Sequence, residues 1–130
     1  MRTRFYELCW FFLLGYFTYS LMEILFRGYT HWTMAVTGGI TAAALYLLHR
    51  SAPAHTLLLQ CLCGALLITA IEFSVGVIDN LVMGWSVWDY SAMPFNLYGQ
   101  ICLPFTGLWV LVCIPAAGIC RAASRRFHGI

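Results

Sequence analysis

The sequence predicts an all-α membrane protein with four transmembrane helices, both termini in the cytoplasm, and a single domain over residues 1–130. Three observations predict it. First, 62% of the residues are hydrophobic and only 9% are charged, which leaves too little polar surface to coat a soluble globule. Second, four segments (about 5–27, 32–49, 56–83 and 97–120) each approach the roughly 20 apolar residues that a spanning helix needs. Third, Arg2, Arg4, Arg50, Arg121, Arg125 and Arg126 fall on one side of such a chain and Arg27 alone falls on the other, a strong positive-inside bias.

The first segment opens as MRTRFYELCWFFLLGYF, two arginines followed by an apolar run. It imitates a signal peptide, but no A-x-A-like site follows and Glu23 and Arg27 lie further on, so it is read as a spanning helix. Tyr16, Ser20, Glu23 and Arg27 recur at helical spacing and share a face. The second segment offers Thr33, Thr37 and Thr41 beside Gly38 and Gly39, and it ends in the short polar turn from His49 to His55, where Pro53 stops a helix. On the third, Glu72, Gly76, Asp79, Asn80 and Met83 form one stripe. The fourth is expected to begin with Asn96, Gly99 and Gln100.

Each helix thus carries its polar residues toward the outer end, which predicts a polar cavity open to the outside above an apolar plug. A faint echo accompanies this pattern: Glu23 and Glu72 each sit near the outer end of an odd-numbered helix and each precedes a Trp-bearing connection. A weak repeat of two helical hairpins would produce it.

The stretch from Trp85 to Trp109 is unusual for a membrane connection. It holds three of the five tryptophans, Asp89, Asn96, Gln100 and two of the four prolines. Trp85, Trp88 and Tyr90 read as anchors at the bilayer surface, because an aromatic ring is apolar and its N–H or O–H is polar. Pro94 and Pro104 free backbone carbonyls, tolerated at membrane depth only where protein or water satisfies them. Asn96 and Gln100, four residues apart, are placed at the entry to the last helix, where N-terminal N–H groups can meet an anion.

The candidate site residues follow from cost. A carboxylate at membrane depth costs at least about 2.5 kcal/mol, so it is normally paired, protonated or turned toward water. Arg27 lies one turn after Glu23 and can pair with it; Glu72 has no cation nearby in sequence. Asn80, Asp89, Asn96 and Gln100 complete the outer polar set, with His31 beside it. Asp89 also suits the turn in Trp-Asp-Tyr-Ser, and His31, flanked by Thr30 and Trp32, also suits an interface.

Other chemistry finds little support. The six cysteines lie mostly in apolar runs without a C-x-x-C pair or zinc spacing, and read as small hydrophobes. No zinc-helix motif, nucleophile elbow, Walker loop or dinucleotide fingerprint occurs, so no cofactor and no metal are expected. A net charge of +2 without a basic patch sets nucleic acid aside.

Glu23, Arg27-Gly28, His31-Trp32-x-Met34, Gly38-Gly39, Glu72-Phe73, Gly76, Asn80, Trp88-Asp89-Tyr90-Ser91, Pro94, Asn96, Gly99-Gln100-Ile101-Cys102 and Trp109 together resemble the family known as Putative ABC-transporter type IV, small multi-pass membrane proteins labelled ABC transporter permeases. The resemblance covers nearly the whole chain and implies a small multi-pass membrane protein of a family whose activity is unassigned. A permease of that class takes a partner ATPase, which the sequence does not itself indicate. The reading favoured by the residues is transport or conduction of a small solute or ion, with membrane lipids around the chain and a homo-oligomer completing the pathway, since four helices enclose little volume. A membrane-embedded enzyme acting on a lipid or other apolar substrate and a non-catalytic membrane subunit are the alternatives.

Overall fold

A computed structural model describes residues 4–28, 30–51 and 56–128. Among these residues the chain forms four long helices: α1 (Phe5–Arg27), α2 (Trp32–Ser51), α3 (Leu57–Gly76) and α4 (Leu103–His128). Part of the polar turn between the second and third segments, and Arg2, lie outside the described residues.

Local chemistry sets the helix ends. At the start of α1 the Arg4 backbone N–H donates to Glu7 Oε2 at 2.7 Å, satisfying a donor that has no partner inside the helix. The same helix closes on Gly28, whose φ of 82° is the left-handed conformation only glycine adopts freely and whose N–H donates back to Ile24 O. Thr56 caps α3, its hydroxyl accepting from Leu59 N–H at 3.3 Å. Beyond Gly76, α3 widens into a π-helical turn over Val77–Val82.

The last helix begins later than the sequence reading places it. Residues 96–102 form a minimal antiparallel hairpin, β1 (Asn96–Leu97) against β2 (Ile101–Cys102), and α4 starts only at Leu103. Positive φ values at Phe95, Tyr98 and Gly99 break any helix there, and Pro104 suits the first turn, where its missing N–H is not needed. Asn96 and Gln100 therefore do not sit on a helix entry.

Three of the four helices are long and apolar enough to cross a membrane: α1, α3 with its π-helical extension (Leu57–Val82), and α4. The remaining helix, α2, matches α3 in length but is diluted by threonine and glycine. It lies tightly against α1, so close that a Cβ on Gly15 would stand 2.3 Å from Gly38 O. The bundle is two helix pairs, α1 with α2 and α3 with α4, joined along a thinner seam.

His128 Nε2 lies 2.7 Å from Glu7 Oε1, and Arg50 Nη1 donates to Ser124 Oγ at 2.6 Å. The start of α1 and the ends of α2 and α4 thus share one end of the bundle, the end that the arginine pattern of the sequence expects to be the inner one. Three buried clusters succeed one another along the axis: Phe11, Tyr46, Cys120 and Ala123 at the inner end, Cys61, Ile68 and Cys113 in the middle, and Met34, Val87 and Trp88 at the outer end. Leu25, Phe26, Leu58, Leu66 and Leu111 face outward, as a lipid surround requires. All six cysteines are free thiols, four of them buried.

Candidate functional site

The outer end gathers the buried acids. Glu23 on α1 and Glu72 on α3 are 9% and 8% exposed, a rare state for a carboxylate. Glu23 is compensated within its own helix: Arg27 Nη1 lies 3.4 Å from Glu23 Oε2, and Tyr19, one turn earlier, turns its phenol toward the same carboxylate. Arg27 also donates from Nη2 to Val87 O at 2.9 Å, which ties the outer loop to α1.

Glu72 keeps different company. Among the described residues no cation stands within salt-bridge distance of it. Its polar neighbour on α4 is Trp109, whose buried indole N–H interacts with the carboxylate without completing a well-formed hydrogen bond. Tyr19 and Tyr90 lie within electrostatic reach of both Glu23 and Glu72. Tyr90, in the outer loop, is stacked on Phe105 with ring centroids 4.8 Å apart. Burial, reinforced by the nearby Glu72, raises the pKa of its hydroxyl, so that Tyr90 remains a neutral hydrogen-bond donor.

One turn beyond Glu72 the loop is fastened to the bundle. Gln100, 3% exposed, accepts from Asn80 Nδ2 at 2.7 Å, donates from Nε2 to Tyr98 O at 2.8 Å, and offers its own carbonyl to Trp88 Nε1 at 2.9 Å. Asn80 Oδ1 accepts from Val87 N–H at 2.6 Å. Gly76 makes this possible: a Cβ there would lie 2.7 Å from Gln100 Oε1 and 2.8 Å from Trp88 Cζ2. Trp88 is thus a buried keystone, where the sequence reading made it a surface anchor. Asp79, in the π-helical turn, is 4% exposed, and its Oδ2 has no hydrogen-bond partner among the described residues.

The other candidates serve the rim. Asp89 is exposed and accepts from Ser91 N–H at 2.8 Å, and this bond holds its carboxyl below the usual carboxylate range. Asn96 stitches the hairpin, donating to Met93 O at 2.9 Å and accepting from Gly99 N–H at 3.1 Å. His31 stands just before α2 with Nδ1 2.7 Å from Thr33 Oγ1, and its ring lies near Trp32 and Trp85.

Of the eight residues singled out from sequence, the structure brings Glu23, Arg27 and Glu72 into one neighbourhood and sets Asn80 and Gln100 directly above it. His31, Asp89 and Asn96 lie at the periphery. Tyr19 and Tyr90 were not anticipated as members; Tyr19 had a local signal, four residues before Glu23. Nor was a second polar cluster at the inner end. There the fully buried Glu7 accepts from Tyr46 Oη at 2.5 Å and from His128 Nε2 at 2.7 Å, joining α1, α2 and α4. Nothing local reveals it, because His128 lies 121 residues from Glu7.

Formally, two carboxylates and one guanidinium share the outer neighbourhood. The surplus negative charge can be met by a proton or a bound cation, and the two phenols supply neutral donors beside it. Comparison with curated proteins and with solved structures finds no match. The profile of one family, described as Putative ABC-transporter type IV, matches residues 10–128. Matched over nearly its whole length, with the paired acids, the Gly76 contact and the hairpin all inside the matched region, the chain belongs to that family.

Proposed function

We propose that the chain spans the membrane four times, with both termini in the cytoplasm, and moves a small cation or a cation-coupled solute through the outer carboxylate neighbourhood. One observation carries this reading: Glu72 is 8% exposed and, among the described residues, has no cationic partner, whereas Glu23 at the same depth has Arg27. A buried carboxylate so placed exchanges a proton or a cation far more readily than a paired one. Glu72 is the exchanging group, Arg27 is the ion-pair partner of Glu23, and Tyr19 and Tyr90 stand within electrostatic reach of both acids.

The outer groups are closed over by Trp88 and Gln100, so access requires the loop to lift. The fastenings to be released are the Asn80 to Gln100 bond and the Arg27 to Val87 bond. A homo-oligomer supplies the remaining wall of the pathway, and the weak two-hairpin repeat is consistent with the observed helix pairing. The family description names an ABC transporter. In this reading the ion gradient is the driving force and no partner ATPase is invoked.

The test is flux. Purified chain in liposomes, given a proton or sodium gradient, is expected to pass current or acidify its lumen. Glu72→Gln abolishes that flux with the helical content unchanged, while Asp89→Asn leaves it intact. Equal flux through wild type and Glu72→Gln refutes the assignment.

A further inference from the structure

At the inner end a half-buried cation has no carboxylate against it among the described residues. Arg50, near the end of α2, spends Nη1 on Ser124 Oγ at 2.6 Å. Its Nε and Nη2 are shielded from water and meet no acceptor among the described residues; the same holds for Nδ1 of the adjacent His49. His49 interacts electrostatically with Arg121 as well as Arg50, so two guanidinium groups and an imidazole converge where α2 meets α4. A guanidinium is always charged, and a buried donor left unmet is costly, more so on a charged group.

The chain has no carboxylate side chain to spare for this site. Of its five acidic residues, Glu23, Glu72, Asp79 and Asp89 belong to the outer end. Glu7 is the one inner acid, and both its oxygens are taken: Oε1 by Tyr46 and His128, Oε2 by the Arg4 backbone. Directly beside His49, on the seam between the two helix pairs, lies a small cavity of about 30 Å³ with an apolar wall that includes Leu45, Leu48, Cys113 and Ala117.

We propose that this seam binds an anionic phospholipid of the cytoplasmic leaflet, its phosphate held by Arg50 with Arg121 and His49, and the start of an acyl chain lying along the apolar wall below. A basic pocket between spanning helices on the cytoplasmic side is the setting in which anionic headgroups dock. A planar guanidinium presents paired donors that fit a phosphate's oxygens. Free phosphate has no use for the apolar wall, so the lipid is the occupant that satisfies both halves of the site. Docking turns the Arg50 guanidinium away from Ser124 toward the seam, giving up one hydrogen bond to a neutral hydroxyl for two to a charged group.

The full chain in a neutral detergent, titrated with phosphatidylglycerol, phosphatidylcholine or inorganic phosphate, is the test, followed by thermal unfolding and by native mass spectrometry of retained lipid. Phosphatidylglycerol is expected to raise the midpoint of unfolding and to be retained in preference to phosphatidylcholine. Arg50→Gln is expected to weaken that binding about tenfold, the scale of losing a charge-assisted pair. Arg126→Gln, an exposed arginine on the same end, leaves it unchanged. Should Arg50→Gln fail to fold, Arg50→Lys keeps the charge without the fork and is expected to show an intermediate loss. Equal response to the two lipids, or full phosphatidylglycerol binding by the folded Arg50 variants, overturns the proposal. An equal response to inorganic phosphate overturns the lipid assignment in favour of a free-anion site.

Discussion

Glu23 and Glu72 are equally buried in unequal company, and the difference is chemical. Glu23 has a guanidinium one helical turn away, a pairing legible from its spacing alone. Glu72 has an indole and two phenols nearby, and no sequence rule pairs it with Trp109, Tyr19 or Tyr90, which come from three other segments. Asp89 illustrates the converse. Its place in Trp-Asp-Tyr-Ser suits a turn, and a turn is what it makes with Ser91. Its carboxyl is held below its ordinary value, so whatever stability it adds is fully present above the unfolded value of about 3.9 and is lost as pH falls through the lower folded value. Thermal unfolding followed from neutral pH into acid is therefore expected to be less acid-sensitive in Asp89→Asn, which keeps the turn bond without titrating. An identical acid slope in the two proteins contradicts this.

At the scale of elements, most of the helices were readable because long apolar runs leave few alternatives. The exception is the start of α4. Seven residues expected to be helical form a hairpin instead, because Asn96 bonds the backbone on both sides of the turn and the positive φ values at Phe95, Tyr98 and Gly99 defeat a helix. The glycine pair in α2 was read as part of a polar stripe. Its principal use is close packing, with Gly38 facing Gly15 and Gly39 facing Phe12. Gly15→Ala would press a methyl group against the Gly38 carbonyl at 2.3 Å, and the two helices must part. A loss of about 1–3 kcal/mol is expected from such overpacking. Gly118→Ala, with nothing within 4 Å of its Cβ, is expected to be neutral or mildly stabilising. Denaturant unfolding of both variants in micelles checks the contrast, and similar midpoints would contradict the packing of α1 on α2.

At the scale of the molecule, the even number of long helices and the contact of His128 with Glu7 put both ends of the described chain together. Five described arginines share that end, and Arg27 stands at the other. The arginine bias on which the proposed orientation rests is visible in the sequence, whereas the inner polar cluster is not, since it depends on three helix ends meeting. Orientation predicts that a fluorescent protein fused after residue 130 glows in cells, and that alkaline phosphatase inserted in the loop near residue 85 is active. The reverse pattern would invert the inside and outside of every site described above. The most direct test of the central claim is labelling by dicyclohexylcarbodiimide, an apolar reagent that modifies exchangeable carboxyl groups within membranes, read residue by residue by mass spectrometry alongside liposome flux. The account predicts an adduct at Glu72, loss of flux in step with labelling, and little adduct at Glu7, which Tyr46, His128 and Arg4 hold fast. Labelling that spares Glu72, or that modifies it with flux undiminished, would contradict it.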